Sequence, residues 1–160
     1  MKILNIAFFV FLGLAVVLAV VSMFINSRSS EEVTQGTIDE DGVMETVYVY
    51  EYNDKVRLFS PAPGSTISNP LVVTGEARGT WFFEADFPVT LLDENEEVLA
   101  QWYAVADGEW MTEEYVSFTA TIEYDHLSVS GQVGSLQIDR DNPTGKPEHD
   151  DGFSIPVVLP

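Results

Sequence analysis

The stretch Ala77-Arg78-Gly79-Thr80-Trp81-Phe82-Phe83-Glu84-Ala85-Asp86-Phe87-Pro88-Val89 places four aromatic rings, a guanidinium and two carboxylates in one short segment. Aromatic side chains contribute the largest apolar areas, so such a run is either the centre of a small core or an aromatic binding surface. Strand alternation separates the two. Read as one strand from Phe83 to Leu92, it puts Phe83, Ala85, Phe87, Val89 and Leu91 on one face and Glu84 and Asp86 on the other. The first set is expected in the core, with Trp81 in the role of a buried sandwich tryptophan. Phe82, on the opposite parity, is expected at the surface beside the two carboxylates.

Working outward, the same period recurs in short β-prone runs near Val56 to Ser60, Leu71 to Ala77, Val98 to Ala106, Tyr115 to Tyr124, Gly134 to Asp139 and Phe153 to Leu159. Turn formers separate them: Pro61-Ala62-Pro63-Gly64-Ser65, Ser68-Asn69-Pro70, Asp93-Glu94-Asn95, Asp107-Gly108 and Asn142-Pro143-Thr144-Gly145. The pattern predicts an all-β, antiparallel sandwich of about seven strands over residues 55–160. Leu71 and Val73, Val116 to Ile122 on alternate positions, Leu136 and Ile138, and Phe153, Ile155, Val157 and Leu159 share the buried parity. Val98 to Ala106 is apolar on both parities and is expected to be covered on both faces. With no cysteine in the chain, the core must hold the domain without disulfides.

The N-terminus has a different character. Ile3 to Ile25 carries no charge, about 35 Å of helix if continuous, and residues 1–25 read as a single retained transmembrane anchor. A cleaved signal peptide would have an apolar core of only about 7–15 residues and a small-x-small site. Residues 26–54 read as an acidic stalk, with Val47 to Tyr52 either an added edge strand or the end of the linker. All 26 Asp and Glu follow the apolar run, against seven Lys and Arg in the whole chain. An acidic tail is poorly matched to an anionic cytoplasmic leaflet, which places the domain outside the membrane, periplasmic or extracellular. A net charge of −19 also argues against nucleic-acid binding, which needs clustered cations.

Several motifs now stand in order: Pro61-Ala62-Pro63-Gly64-Ser65, Asn69-Pro70-Leu71, Gly75-Glu76-Ala77-Arg78-Gly79, Trp81-Phe82-Phe83-Glu84-Ala85, Phe87-Pro88-Val89, Gly108-Glu109-Trp110-Met111-Thr112 and Asp141-Asn142-Pro143-Thr144-Gly145-Lys146-Pro147. Together, over Val56 to Leu159, they resemble the immunoglobulin-like domain of bacterial spore germination proteins. The resemblance implies a bacterial cell-envelope β-sandwich acting as an interaction module. It supplies no catalytic residue and no ligand.

Candidate sites are few. Arg78 is expected to hold a carboxylate, with Glu84, Asp86 and Glu109 as the available acceptors. Phe82, Tyr103 and Trp110, with Arg78, Glu84 and Asp86, form the candidate contact surface. In the segment Asp139 to Asp151, the oxygen ligands Asp139, Asp141, Asn142, Asp150 and Asp151 make the best calcium candidate, without EF-hand spacing. His126 and His149 stand in separate loops and support neither zinc nor a triad. No nucleophile elbow, phosphate loop or dinucleotide fingerprint is present. The sequence therefore predicts a non-enzymatic, membrane-anchored envelope protein without a cofactor, contacting an envelope protein or cell-wall glycan. The alternatives are a calcium-dependent adhesion or sensing domain and, behind it, an envelope hydrolase.

Overall fold

The computed structural model describes residues 30–38, 44–125 and 131–160, with side chains from Val49 onward. The described residues form nine strands: β1 (Ser30–Ile38), β2 (Met44–Tyr52), β3 (Val56–Ser60), β4 (Leu71–Arg78), β5 (Asp86–Leu92), β6 (Val98–Ala106), β7 (Tyr115–Ile122), β8 (Val133–Asp139) and β9 (Gly152–Val158). Backbone hydrogen bonds link them in the order β1-β2-β3-β4-β7-β6-β5-β8-β9, every neighbour antiparallel.

The link between β7 and β6 is narrow. Only Val105 with Thr119 and Ala106 with Phe118 pair there, so the sheet turns a corner and folds over itself. The two halves, β2-β3-β4-β7 and β6-β5-β8-β9, enclose one apolar layer. They also meet at their far edges. Tyr52 of β2 stacks on Phe153 of β9 with ring centroids 4.6 Å apart, and Lys55 forms an ion pair with Asp151. The segment before β4 closes that side further, since the Ile67 N–H donates to the Val158 carbonyl at 2.9 Å and Gly64 to Pro156 at 2.7 Å.

Alternation drives the packing as expected for a sandwich. β4, β7, β8 and β9 alternate buried and open positions, and Phe87, Val89, Leu91, Phe118, Ile122, Leu136, Ile138, Ile155 and Val157 are fully enclosed. Gly75 is required within β4 because a Cβ there would lie 2.7 Å from the Phe118 ring and 2.2 Å from the Arg57 carbonyl oxygen.

The N-terminal region departs from the sequence reading. Ser30–Ile38, in the stretch read as stalk, pairs along its whole length with β2. Val33, Thr34, Thr37 and Ile38 supply β-branched residues there, a signal obscured by the neighbouring acidic pairs. β2 in turn joins the sandwich through Tyr50, Glu51 and Tyr52, so the Val47 to Tyr52 segment is a strand. Among the described residues no helix is long and apolar enough to cross a membrane, and the expected anchor at 1–25 lies outside them.

Candidate functional site

The aromatic stretch does not form one strand. Gly79–Trp81 is a single 3-10 turn, and the chain then doubles back through Phe83-Glu84-Ala85-Asp86. Glu84 and Ala85 have φ of 52° and 71°, and the N–H groups of Phe83 and Asp86 each donate to the other's carbonyl, at 3.0 and 3.2 Å. This is the pattern of a two-residue hairpin turn. Across such a turn Phe82 faces Phe87, so both fall on the core side, their centroids 5.1 Å apart. Phe82 is therefore 5 % exposed and Phe83 41 %, the reverse of the sequence expectation. Glu-Ala is not a turn dipeptide, which is why alternation was carried through it.

Trp81 is buried as expected, but in the 3-10 turn rather than on a strand, edge-on to Tyr52 at 6.1 Å. Two loops converge on that turn. The Gly79 N–H donates to the Glu114 carbonyl at 3.1 Å, and a Cβ on Gly79 would sit 2.0 Å from the Thr112 oxygen and 2.2 Å from that of Trp110. From the other side the Asp141 N–H donates to the Trp81 carbonyl at 3.2 Å and the Arg140 guanidinium to Thr80 at 3.1 Å. The motifs around Gly79, Trp81, Trp110 and Asp141 thus build one structural node. Trp110 is half-buried against the core as part of it.

Arg78 does hold a carboxylate, but the acceptor is Asp54 in the β2–β3 turn, at 3.0 Å to both oxygens, and not Glu84, Asp86 or Glu109. Its guanidinium lies 3.9 Å from the Tyr115 ring centroid, and Arg57 lies over the same ring at the same distance. The Tyr115 hydroxyl donates to Asp54, and with Arg78 it draws that carboxyl below the ordinary aspartate range. A planar cation stacked on a ring and forked to a carboxylate is a fastening. It ties the β2–β3 turn to β4 and β7 and leaves Arg78 committed.

The calcium candidates are scattered among separate contacts. Asp151 takes Lys55 and the Tyr52 hydroxyl; although burial alone would raise its carboxyl, those bonds lower it overall. Asp139 accepts both bonds from the Gln137 amide, while burial and the nearby Asp150 charge raise it. The Asn142 amide donates to Asp150 at 2.7 Å and to the Lys146 carbonyl, and its oxygen accepts from Thr144. Among the described residues no group of three or more His, Asp or Glu is placed to hold a metal ion. His149 is exposed and within 2.9 Å of the Thr144 hydroxyl, and His126 lies outside the described residues.

The surface that remains is β6. It was expected to be covered on both faces; instead only Ala104 is buried, and Val98, Trp102, Tyr103 and Val105 are 64, 59, 52 and 51 % exposed. Its register explains this. β5 pairs one edge throughout, but β7 reaches the other only at Val105 and Ala106, so Val98–Ala104 lies beyond the corner. Trp102 pairs with the fully buried Val89 and so points to the inner side, yet it lies past the last residues that pair with β7 and stays exposed. Tyr103 is the one aromatic contact candidate from the sequence that the structure leaves exposed.

A family model for the immunoglobulin-like domain of bacterial spore germination matches residues 55–145. The chain belongs to that family. The match begins at the β2–β3 turn and stops before β9, although β9 supplies Phe153, Ile155 and Val157 to the same core. Comparison with curated proteins and with solved structures gives no match. The family is one of immunoglobulin-like domains. Within this germination-type domain the family-like motifs are spent on the node, and the exposed strand lies between them. Sequence reasoning missed Val98, Trp102 and Val105 as surface residues; their double-faced apolarity was visible, but burial was the ordinary reading of it.

Proposed function

We propose that this chain is a single-pass envelope protein whose immunoglobulin-like domain works outside the membrane as a protein-interaction module. The exposed strand β6 is the observation that carries the reading. Along one largely unpaired edge it leaves Trp102 more than half exposed on the inner face and Tyr103 and Val105 more than half exposed on the outer, which suits a partner that docks along the strand. The apolar run at Ile3 to Ile25 supports the anchor, and the acidic character of all that follows supports an outward domain. Immunoglobulin-like family membership supports binding in place of catalysis.

The test is fractionation and topology in the native cell. The chain is expected in the membrane fraction, released by detergent and not by salt, with its domain cut by protease added outside the cytoplasmic membrane. Recovery as a freely soluble protein, or a domain protected until the membrane is opened, would overturn the reading.

A further inference from the structure

We infer that the free edge of β6 receives an extended segment of another protein, basic at both ends and apolar between, as an added strand. This rests on the interaction-module reading above and names the partner's chemistry.

Exposed strand edges template pairing with other chains, and folds normally blunt them with proline, lysine or a covering segment. The β9 edge of this sheet is treated that way: Pro156 lies within the strand and residues 64–67 bond along it. β6 has neither device. Val98 to Ala106 contains no charge and no proline, and among the described residues no strand pairs the outer edge of Val98–Ala104. A segment added there would bond to that edge and set its alternate side chains beside Trp102 on the inner face and Tyr103 on the outer, the side chains best suited to anchor an interface.

Charge selects the occupant. β6 is preceded by Glu94, Glu96 and Glu97 and followed by a loop carrying Glu113 and Glu114. All are exposed, and no described cation forms an ion pair with them. A nine-residue strand is about 30 Å long, so a partner reaching both groups carries its cations near its two ends. A second copy is disfavoured, because antiparallel pairing of two β6 strands would bring one acidic loop against the other and parallel pairing each against itself.

The experiment is hydrogen exchange with mass spectrometry on the full-length chain in detergent, with the synthetic peptide Lys-Arg-Thr-Val-Tyr-Val-Thr-Arg-Lys as probe. Amides of residues 98–104 are expected to exchange about tenfold more slowly with peptide. A peptide with Glu at the four basic positions should give no protection. Trp102→Ala, at an exposed position that leaves the fold intact, should weaken binding about tenfold. Glu94→Gln with Glu96→Gln and Glu97→Gln should weaken it about threefold and reduce its salt dependence. Equal binding of the acidic peptide, protection elsewhere only, or a dimer that protects β6 without peptide would each overturn the proposal. Those results would leave the anchoring and outward placement of the domain standing, since these are decided separately by the topology of the chain in the cell.

Discussion

Gly79→Ala tests whether the node around the 3-10 turn is as tightly built as its geometry implies. Gly79 does not have a left-handed φ, so an alanine there meets no backbone objection. In open space the substitution would stabilise the domain by about 0.4–1 kcal/mol, through the smaller entropy of the unfolded chain. The new Cβ, however, would stand 2.0 Å from the Thr112 carbonyl oxygen and 2.2 Å from that of Trp110. Both are backbone atoms, so relief means moving the 110–112 loop by about 1 Å, and overpacking of that kind costs about 1–3 kcal/mol. The shift also strains the Gly79 bond to Glu114, which places the net effect near 2–3 kcal/mol destabilising. For a domain of this size that is a fall in Tm of roughly 10 °C or more. Thermal unfolding of the detergent-solubilised chain, followed by tryptophan fluorescence, measures it. An unchanged or higher Tm would mean that the loop does not rest on Gly79, and the argument for a node would fail.

Other substitutions probe neighbouring contacts. Trp81→Ala should cost about 3–5 kcal/mol, whereas Trp81→Phe should cost far less because the buried indole N–H has no acceptor among the described residues; equal losses in denaturant unfolding would show that N–H to be bonded. Arg78→Lys keeps the charge but loses the fork to Asp54 and the stack on Tyr115, so the urea midpoint should fall; an unchanged midpoint would show that the fork does not fasten the turn. Asp139 and Asp151 should respond to pH in opposite senses. Asp151, held below its unfolded value of about 3.9, contributes stability above that pH and loses it as pH falls through the folded value. Asp151→Asn should therefore destabilise by about 1 kcal/mol at pH 7, allowing for the exposed Lys55, and become neutral in strong acid. Asp139 is raised, so its ionised form opposes folding at pH 7. Asp139→Asn should stabilise there, with the gain vanishing as pH drops below the folded value; a loss of stability at pH 7 would contradict the burial argument.

The sandwich was legible in the sequence where alternation was unbroken. Val116, Phe118, Ala120 and Ile122 on β7 and Phe153, Ile155 and Val157 on β9 carry their burial in a strict period of two. The reading failed where the chain reverses without the usual residues. Glu84-Ala85 takes a left-handed hairpin turn that favours Asn-Gly, and one unseen reversal exchanged Phe82 with Phe83. It failed again where contacts are long-range: nothing near Arg78 in sequence points to Asp54, 24 positions earlier. The exposure of Trp102 depends on a corner between β6 and β7 that no local pattern encodes. Of the aromatic contact candidates, Phe82 and Trp110 therefore turn out to pack on the core, while Tyr103 stays exposed on a strand whose neighbours Trp102 and Val105 the pattern places in the core.

The most direct test of β6 as the contact surface is site-specific photocrosslinking in the native cell, with the reactive group at Gln101, which is exposed on β6, and at Glu148 as a remote control. The account predicts an adduct with a defined envelope protein from Gln101 only, mapped by mass spectrometry to an extended, basic-ended segment, and lost with Trp102→Ala. No adduct from Gln101, or the same adduct from Glu148, would contradict it.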